Sequence, residues 1–580
     1  MTTAQASPPV ASPKEEHPHG LARYVPIVGW LPRYERAWLR GDVAAGIAVT
    51  ALVVPKNLGY AGIAGIPVQN GLYAAAAGAL IYALFCTSRQ ISTGPSSSLA
   101  AVAGGAVIVS GLGGQKAAEL VAAITLVTGA LFLLLAVLGL GRIAQFLSKA
   151  VVTGFLAGAA VDVVIGELPK LTGTSADGKN SWRELGSWIR SLDSIHWTTL
   201  LVGVVALGVI LGLRFTVPAV PGALVLLVGG LLASWIFDLG AHGVALVGHV
   251  PRGLPAPAFP DLQVFQDEYV TITIAAVALL LIGFSQTAGD ARAFATRHRY
   301  RIDVNQEAVA QGMANAGAGF FQGMPVSTSL SASSLNESAG ARTPVASLVT
   351  GGLVILTLIV LAPLFSDLPK PVLGAVIIDA VIFGMIDIPE FRRLYRVKRF
   401  DFWISIAAVI GVLSAGVLAG VVIGVALSLV WLVYVATAPS MPLLGREPGT
   451  QVFRELDGDP GNETFPGVVV VRLDGGLFFA TADAVEERFR EVAGDDVHTV
   501  VLDLEGVNFV DSQGAAKLTE LTELAERNEV SLRLARLKPA VRAVLETDGV
   551  VERLGADHIH GNVHRAVEAQ LAADSARPAV

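Results

Sequence analysis

The chain has 580 residues, of which 53% are hydrophobic and only 15% are charged. Soluble globular proteins carry about 25% charged residues, so the composition excludes a wholly soluble protein. The formal net charge is −7, and a single cysteine, Cys86, excludes an intrachain disulfide and any cysteine-cluster metal site.

The first part of the chain predicts a polar tail followed by a membrane domain. Residues 1–34 begin with the Pro-rich stretch "MTTAQASPPVASPKEEHPHG", which has no apolar core and therefore predicts a disordered tail rather than a signal peptide. Residues 35–438 carry repeated apolar runs such as "AAELVAAITLVTGALFLLLAVLGLG". A helix needs about 20 apolar residues to cross a bilayer, so this part predicts a polytopic α-helical membrane domain.

The last part of the chain predicts a separate soluble domain. From Pro439 onward there are 14 Lys and Arg against 25 Asp and Glu, a net charge of −11. Residues 439–466 are interpreted as a linker, residues 467–570 as the domain and residues 571–580 as a tail. Strand patterns such as "GVVVVRL" alternate there with helical patterns such as "AAKLTELTELAERN", which indicates an α/β layer.

Basic residues in short loops predict the orientation in the membrane. The densest are "RHRYR" at 297–301 and "RRLYRVKR" at 392–399. Assigning these loops to the cytoplasm gives an even number of spans with both termini inside. The loop at 168–197 carries charges of both signs and is placed outside. We therefore expect a multi-pass protein of the cell membrane.

Two segments in corresponding positions predict interrupted helices. They are "QISTGPSSSLAAVAGGAVIV" at 90–109 and "QGMPVSTSLSASSLNESAG" at 322–340, and each begins with a proline and several hydroxyls. Pro95 suits a first helical turn, and Ser329 or Ser331 suits an N-cap. Two facing helix N-termini would bind an anion without a charged side chain. The alternative is a Ser-rich interface for close helix packing.

Several motifs resemble the SulP family of sulfate-permease-type anion transporters. They are "VVPKNLGYAGIAGIPVQNGLYAA", "TSRQISTGPSSSLA" and the block at 300–346, and "PLLGREPGT" resembles the family's exit into a STAS domain. The resemblance covers residues from about 35 to about 570. It implies fourteen membrane segments in two inverted seven-segment repeats, with the anion between the third and tenth. It also implies homodimers, elevator-like alternating access and a cytoplasmic α/β STAS domain.

The chain departs from the family pattern at three positions. Lys56 stands where glutamine is common, and Ala332 stands where arginine is usual. We hypothesise that Lys56 supplies the positive wall of the anion site; the alternative is a lysine that reaches the membrane interface. Gln286 replaces an acidic coupling residue. Asp290, one turn further along, could take over coupling to a proton or sodium and pair with Lys56, or be a structural partner of Arg292.

The candidate site residues combine these arguments. The predicted substrate-binding residues are Lys56, Asn57, Tyr60, Pro95, Ser96, Ser97, Gln286, Ser329, Leu330, Ser331 and Ala332. Asp290 is the coupling candidate. Ser512 in "VDSQG" is a regulatory candidate for phosphorylation, although Asp511 and Ser512 could simply cap the next helix. Asp303 and Glu307 are interpreted as fixing the basic loop through ion pairs.

The function that follows is secondary active transport of a small anion such as sulfate, bicarbonate or a dicarboxylate. We expect coupling to a proton or sodium, or exchange. The alternatives are an uncoupled anion channel and a membrane anion sensor that signals through the STAS domain. An enzyme is not expected, because the sequence has no nucleotide loop or nucleophile constellation. The bilayer and a second copy are the expected partners, with no cofactor, metal or nucleic acid.

Overall fold

A computed structural model describes residues 24–139, 148–176, 178, 180–217, 220–458 and 461–575. The chain forms two compact units, Met1–Ser428 and Leu429–Val580. Most of the predicted N-terminal tail and the last five residues of the predicted C-terminal tail lie outside the described residues. Within the former, Ile27–Trp30 form a short helix, so this part of the predicted disordered tail is helical.

The first unit is helical, with two very short strands. Its helices are α1 Ile27–Trp30, α2 Leu39–Ile63, α3 Val68–Phe85, α4 Ser97–Ser110, α5 Gly114–Val137, α6 Lys149–Thr172, α7 Ser181–Arg190, α8 Trp197–Thr216, α9 Gly222–Phe237, α10 Leu262–Asp267, α11 Tyr269–Arg297, α12 Val304–Phe320, α13 Leu330–Ser338, α14 Val345–Val360, α15 Lys370–Met385, α16 Ile388–Val397, α17 Arg399–Ala415 and α18 Val417–Thr437. Its strands are β1 Thr93–Pro95 and β2 Val326–Thr328.

Length and composition identify most of the membrane-crossing helices. Among the described residues, eight helices are long and apolar enough to cross a bilayer, and α4, α9 and α14 are shorter apolar helices. This confirms the polytopic α-helical membrane fold. The count of fourteen segments stays a prediction, because helices such as α13 are too short to be counted by length.

The helices pack in two sets. Helices α2, α3, α5, α11, α12, α13 and α14 contact one another extensively, and α6, α8, α15 and α17 form a second set. Helix α2 also packs against α15 and joins the two sets. Glycine makes the closest contacts possible: a Cβ on Gly71 of α3 would collide with the carbonyl oxygen of Asn57 on α2. Small residues at such contacts are typical of membrane helices, where van der Waals packing drives association.

The second unit is an α/β domain, as predicted. Strands β5 Val468–Arg472, β6 Thr499–Asp503, β7 Ser531–Ala535 and β8 Ile559–His560 form a parallel sheet in the order β5-β6-β7-β8. Its helices are α19 Ala482–Val492, α20 Ser512–Arg527, α21 Pro539–Thr547, α22 Val550–Leu554 and α23 Val563–Ser575. The core lies between the sheet and α19, α20 and α21, built from residues such as Leu502, Leu518 and Leu545.

The described part of the predicted linker, residues 439–458 and 461–466, is structured. It contains strands β3 Leu444–Arg446 and β4 Phe453–Glu455, which pair with each other in antiparallel fashion. Leu443 bridges to Val471 of β5, and Leu444 belongs to the core beneath α23. The segment is therefore an added edge of the domain, because its apolar residues are buried against the sheet.

Two histidines give the second unit a pH-dependent stability. Burial, reinforced by the Arg533 guanidinium, lowers the pKa of His558 and of His560 below the usual value. The unfolded chain then binds protons that the folded unit excludes. We therefore expect the stability of this unit to fall as the pH drops through the usual histidine pKa of about 6.5.

Hydrogen exchange of β7 and β8 in the full chain, corrected for intrinsic rates and compared above and below that pH, measures the effect. His560→Asn should reduce the pH dependence, and His242→Asn, in the first unit, should leave it unchanged. Equal protection of β8 at both pH values in the unaltered protein would contradict the prediction.

Candidate functional site

Strands β1 and β2 cross inside the first unit and each leads directly into a helix. They pair in antiparallel fashion, with Gly94 opposite Ser327 and Pro95 opposite Val326. Helix α4 begins behind β1 and helix α13 begins behind β2. The sequence prediction of two interrupted helices is therefore confirmed, and the structure adds that their extended segments are hydrogen-bonded to each other.

Serine side chains cap the two helices. The Ser96 hydroxyl accepts from the backbone N–H of Leu99, and the Ser329 hydroxyl accepts from the backbone N–H of Ala332, both at 3.4 Å. The N-cap predicted at Ser329 or Ser331 is thus Ser329. The prediction that Pro95 lies in the first helical turn is wrong, because Pro95 is extended in β1 and the helix begins two residues later.

Two amides on α12 hold this crossing in place, and the sequence interpretation missed them. The amide of Asn315 donates to the carbonyl oxygen of Val326 at 3.0 Å, and its oxygen accepts from the Val326 N–H at 3.0 Å. The side chain of Gln311 donates to the same carbonyl oxygen. Both amides are fully buried. The signal was available, since polar side chains inside a membrane helix need partners.

A small cavity of about 20 Å³ lies beside the crossing. On this measure a single buried water needs about 10–15 Å³, so the space corresponds to one or two water molecules. Seven predicted residues line it: Lys56, Asn57, Tyr60, Pro95, Ser329, Ser331 and Ala332. The remaining lining includes backbone and small side chains of β1, such as Thr93 and Gly94. Residues of α2 and α13, which are about 270 positions apart in sequence, thus line the same cavity.

Lys56 and Ala332 line the same cavity. Lys56 is half-buried on α2, which continues as a single helix through Pro55. Ala332 is buried on the first turn of α13. A cationic side chain therefore stands in the cavity at a point where the facing helix offers only a methyl group. This arrangement agrees with the hypothesis of a relocated charge, which stays a hypothesis about the anion.

The suggested pairing of Lys56 with Asp290 is not what the structure contains. The Asp290 carboxylate accepts a hydrogen bond of 2.7 Å from the Thr328 hydroxyl at the end of β2. Among the described residues no ion pair joins Lys56 to Asp290, because Thr328 binds the carboxylate instead. Sequence spacing along one helix does not reveal such a contact.

Four other predicted residues lie outside the lining of this cavity. Gln286 on α11 joins the two crossing segments: its amide donates to Ser98 at 2.9 Å, and its oxygen accepts from Ser327 at 2.8 Å. Ser97 is buried in the first turn of α4. The Leu330 side chain is 56% exposed, and the Ser96 hydroxyl serves as the cap of α4. Their roles in substrate binding remain predictions.

Arg214 and Asp379 form an ion pair in the membrane domain that the sequence interpretation did not single out. The two guanidinium-to-carboxylate hydrogen bonds are both 2.7 Å, and Asp379 is 5% exposed. The signal was a single arginine in "VALGVILGLRFT" and a single aspartate in "VLGAVIIDAVIFG". Isolated charges in apolar spans usually face a cavity or a partner.

In the second unit, Asp511 caps α20. Its carboxylate accepts from the Gly514 N–H at 2.7 Å and from the Phe479 N–H at 3.1 Å. Ser512 is the first helical residue and is exposed. The capping interpretation is therefore confirmed for Asp511. Phosphorylation of Ser512 remains a prediction.

Sequence comparisons identify relatives of both units. A model of the sulfate permease family matches residues 39–408, and a STAS domain model matches residues 460–566. A probable sulfate transporter of Mycobacterium tuberculosis is 34% identical over 93% of this chain and 98% of its own length. High affinity sulfate transporter 2 of Stylosanthes hamata is 29% identical over 94% of this chain and 86% of its own length.

Solved structures share the fold. The murine Solute Carrier 26 family member A9 anion transporter, in its inward-facing state, matches 97% of both chains with a TM-score of 0.85 and 22% identity. The transmembrane domain of a cyanobacterial bicarbonate transporter matches 68% of this chain and 98% of its own length, with a TM-score of 0.57 and 20% identity. At such identities the likeness concerns the fold alone.

Proposed function

Because this chain belongs to the sulfate permease family, whose members are transporters and not enzymes, we propose that it is a secondary transporter of a small anion. The cavity lined by β1, by the start of α13 and by Lys56 carries the proposal. Sulfate is the first candidate, since the relatives that are 34% and 29% identical are described as sulfate transporters. Bicarbonate and dicarboxylates are the other candidates.

The chemistry of the site suits an anion. The first N–H groups of α4 and α13 have no partners within their own helices, and a helix N-terminus carries the positive end of the helix dipole. Hydroxyls of Ser329 and Ser331 and the amide of Asn57 add donors around the cavity. When protonated, Lys56 adds a positive charge to these donors. Backbone N–H and hydroxyl donors can bind anions of many shapes. The site therefore favours a negatively charged substrate without specifying its shape.

Transport proceeds in this proposal by an elevator-like movement. The set of helices around α2, α3, α5, α11, α12 and α13 carries the anion past the set around α6, α8, α15 and α17. The denser packing within each set, with α2 and α15 as the main contact between them, supports this division. The protein is expected in the cell membrane as a homodimer, with both termini in the cytoplasm.

Asp290 is the proposed coupling group. It is half-buried, one turn beyond the non-titratable Gln286, and it bonds to Thr328 beside the anion-binding crossing. A carboxyl at this place can take up and release a proton when its surroundings change. We expect Asp290→Asn to remove the stimulation of anion uptake by an inward proton gradient while leaving binding intact.

Uptake into liposomes with and without a proton or sodium gradient measures this coupling. Asp267→Asn, an exposed change in the same region of the chain, is the matched control. A mutant at Asp290 that keeps full gradient dependence would contradict the assignment.

The proposed transport itself is tested with the purified full-length protein in liposomes. Radiolabelled sulfate, bicarbonate and a dicarboxylate are offered in turn. Saturable uptake of one of them supports the proposal. Large passive anion currents would instead favour an uncoupled channel. Gln286 supports that alternative, because an amide side chain does not take up and release protons near neutral pH. Anion binding without flux would favour a sensor.

A further inference from the structure

The ion pair between Arg214 and Asp379 is built to hold a fixed geometry. Both guanidinium hydrogen bonds to the carboxylate are 2.7 Å, which is the bidentate arrangement that arginine favours. The guanidinium also lies 4.1 Å from the ring centroid of Phe383. Asp379 is 5% exposed, whereas the Arg214 side chain is 37% exposed. The pair therefore places one negative and one positive charge at defined points inside the membrane domain.

This ion pair lies beside the candidate anion site. Helix α15, which carries Asp379, packs against α2, and a Cβ on Gly59 would lie 2.9 Å from the Ile377 side chain. Towards its other end, a Cβ on Gly384 would lie 3.8 Å from the Ser97 hydroxyl. Along α15, Asp379 therefore lies between the residue that contacts Gly59 of α2 and the residue that contacts Ser97 at the start of α4. Lys56 is one turn before Gly59 on α2.

The charges act on the residues of the cavity. Asp379 lies on the part of α15 that packs between Gly59 of α2 and Ser97 of α4, and it holds Arg214 beside it. The charges of both residues therefore act on the lysine and tyrosine that the same stretch of α2 places in the cavity. Lys56 and Arg214 contribute two positive charges and Asp379 one negative charge. The three together present one net positive charge to the anion. Asp290, bonded to Thr328, is the other acidic side chain at the crossing and is common to every variant considered below.

We propose that the Arg214–Asp379 pair sets the net charge of the anion site and thereby determines its preference between divalent and monovalent anions. This inference rests on the proposed anion transport and adds a specificity-determining residue, Asp379, that does not line the cavity. The physical reason is that a change of one unit in site charge alters the Coulomb energy of a divalent anion twice as much as that of a monovalent anion. Helix N-termini alone, with their partial charges, provide weaker discrimination.

The test compares two anions of different charge, sulfate and nitrate. Affinities are measured in detergent for the full-length protein, from the anion-dependent rise of its melting temperature, and uptake is measured in liposomes. Asp379→Asn leaves Lys56 and Arg214 as two positive charges and should raise the sulfate-to-nitrate affinity ratio about tenfold. Arg214→Gln should lower that ratio by a similar factor. The double variant restores one net positive charge and should return the ratio to that of the unaltered protein.

The controls separate this role from a structural one. Asp379→Asn is the decisive variant, because the Arg214 side chain that it leaves without its partner is partly exposed. The melting temperature without anion shows whether each variant is folded. Glu337→Gln breaks an ion pair with Arg297, whose side chain is 66% exposed, and should leave the ratio unchanged. The inference is overturned if Asp379→Asn has the same sulfate-to-nitrate affinity ratio as the unaltered protein. It is also overturned if the ratio of the double variant equals that of either single variant.

The outcomes also distinguish this inference from the proposed function. Anion binding with the expected ratio changes but without flux supports the charge-setting pair and contradicts transport. Flux with unchanged ratios supports transport and contradicts the pair. A protein that binds neither anion contradicts both.

Discussion

Replacing Lys56 with glutamine is expected to weaken anion binding by roughly 10- to 100-fold. A hydrogen bond that involves a charged partner contributes about 1.5–3 kcal/mol, and about 1.4 kcal/mol corresponds to a tenfold change in affinity. Lys56 lines the cavity together with β1 and the start of α13. In that cavity Ala332 leaves the facing helix without a charge of its own. The loss of the ammonium should therefore not be compensated from α13.

Anion-dependent melting and saturable uptake measure this effect separately. Lys116→Gln, an exposed lysine at the start of α5, is the matched control and should leave both unchanged. Lys56→Arg retains the charge and should keep most of the affinity. Unaltered affinity and uptake in Lys56→Gln would show that this lysine reaches the membrane interface instead of serving the anion.

The two half-helices could be predicted from the sequence, but the way in which they meet could not. Proline, glycine and clustered hydroxyls mark an interruption in an apolar run, and this signal is local. The pairing of β1 with β2 involves three residues on each side, too few for any periodic pattern. It is fixed by Asn315 and Gln311 on a third segment, α12. Only the folded chain brings these residues to Val326.

The charges show the same division between local and tertiary information. Lys56 is conspicuous because it interrupts an apolar run, and its place in the cavity agrees with the expectation for an intramembrane charge. Its neighbours Asp379 and Arg214 are more than 150 residues away in sequence and on two different helices. Spacing along one helix suggested Asp290 instead. Spacing identifies residues that share a helical face, and it carries no information about which helices are adjacent.

The α/β domain of the second unit was predicted well except at its beginning. Alternating strand and helix patterns gave β5, β6 and β7 with α19, α20 and α21, because each pattern repeats over several residues. Residues 439–466 contain many glycines, prolines and charges, which are typical of a linker. Their strands form because Leu443 and Leu444 find apolar surface on the sheet. Tertiary contact overrides a weak local preference there.

Glu307 was interpreted as the partner of a basic loop, and the structure corrects this. The carboxylate is fully buried and accepts from neutral donors. They are the N–H and hydroxyl of Thr87 at 2.8 and 2.6 Å, the N–H and hydroxyl of Ser88 at 2.8 and 3.2 Å, and the hydroxyl of Tyr82. One side chain on α12 therefore fixes the turn that leads from α3 into β1.

Replacing Glu307 with glutamine is expected to reduce the stability of the membrane domain by about 3 kcal/mol or more. The change leaves buried donors without an acceptor, each at a cost of about 1–3 kcal/mol, and places an amide donor against them. Because the turn at Thr87 and Ser88 positions β1, the anion-binding crossing should loosen as well. Affinity should then fall together with the melting temperature, unlike in Lys56→Gln, where affinity alone should fall.

The melting temperature of the full-length protein in detergent, with and without sulfate, measures both effects. Glu35→Gln, an exposed change in the same region of the chain, should leave the melting temperature unchanged. If Glu307→Gln has the same melting temperature as the unaltered protein, the glutamine amide accepts from the same donors as the carboxylate. In that case the negative charge of Glu307 would be dispensable for the fold, and the turn would be held by its backbone contacts alone.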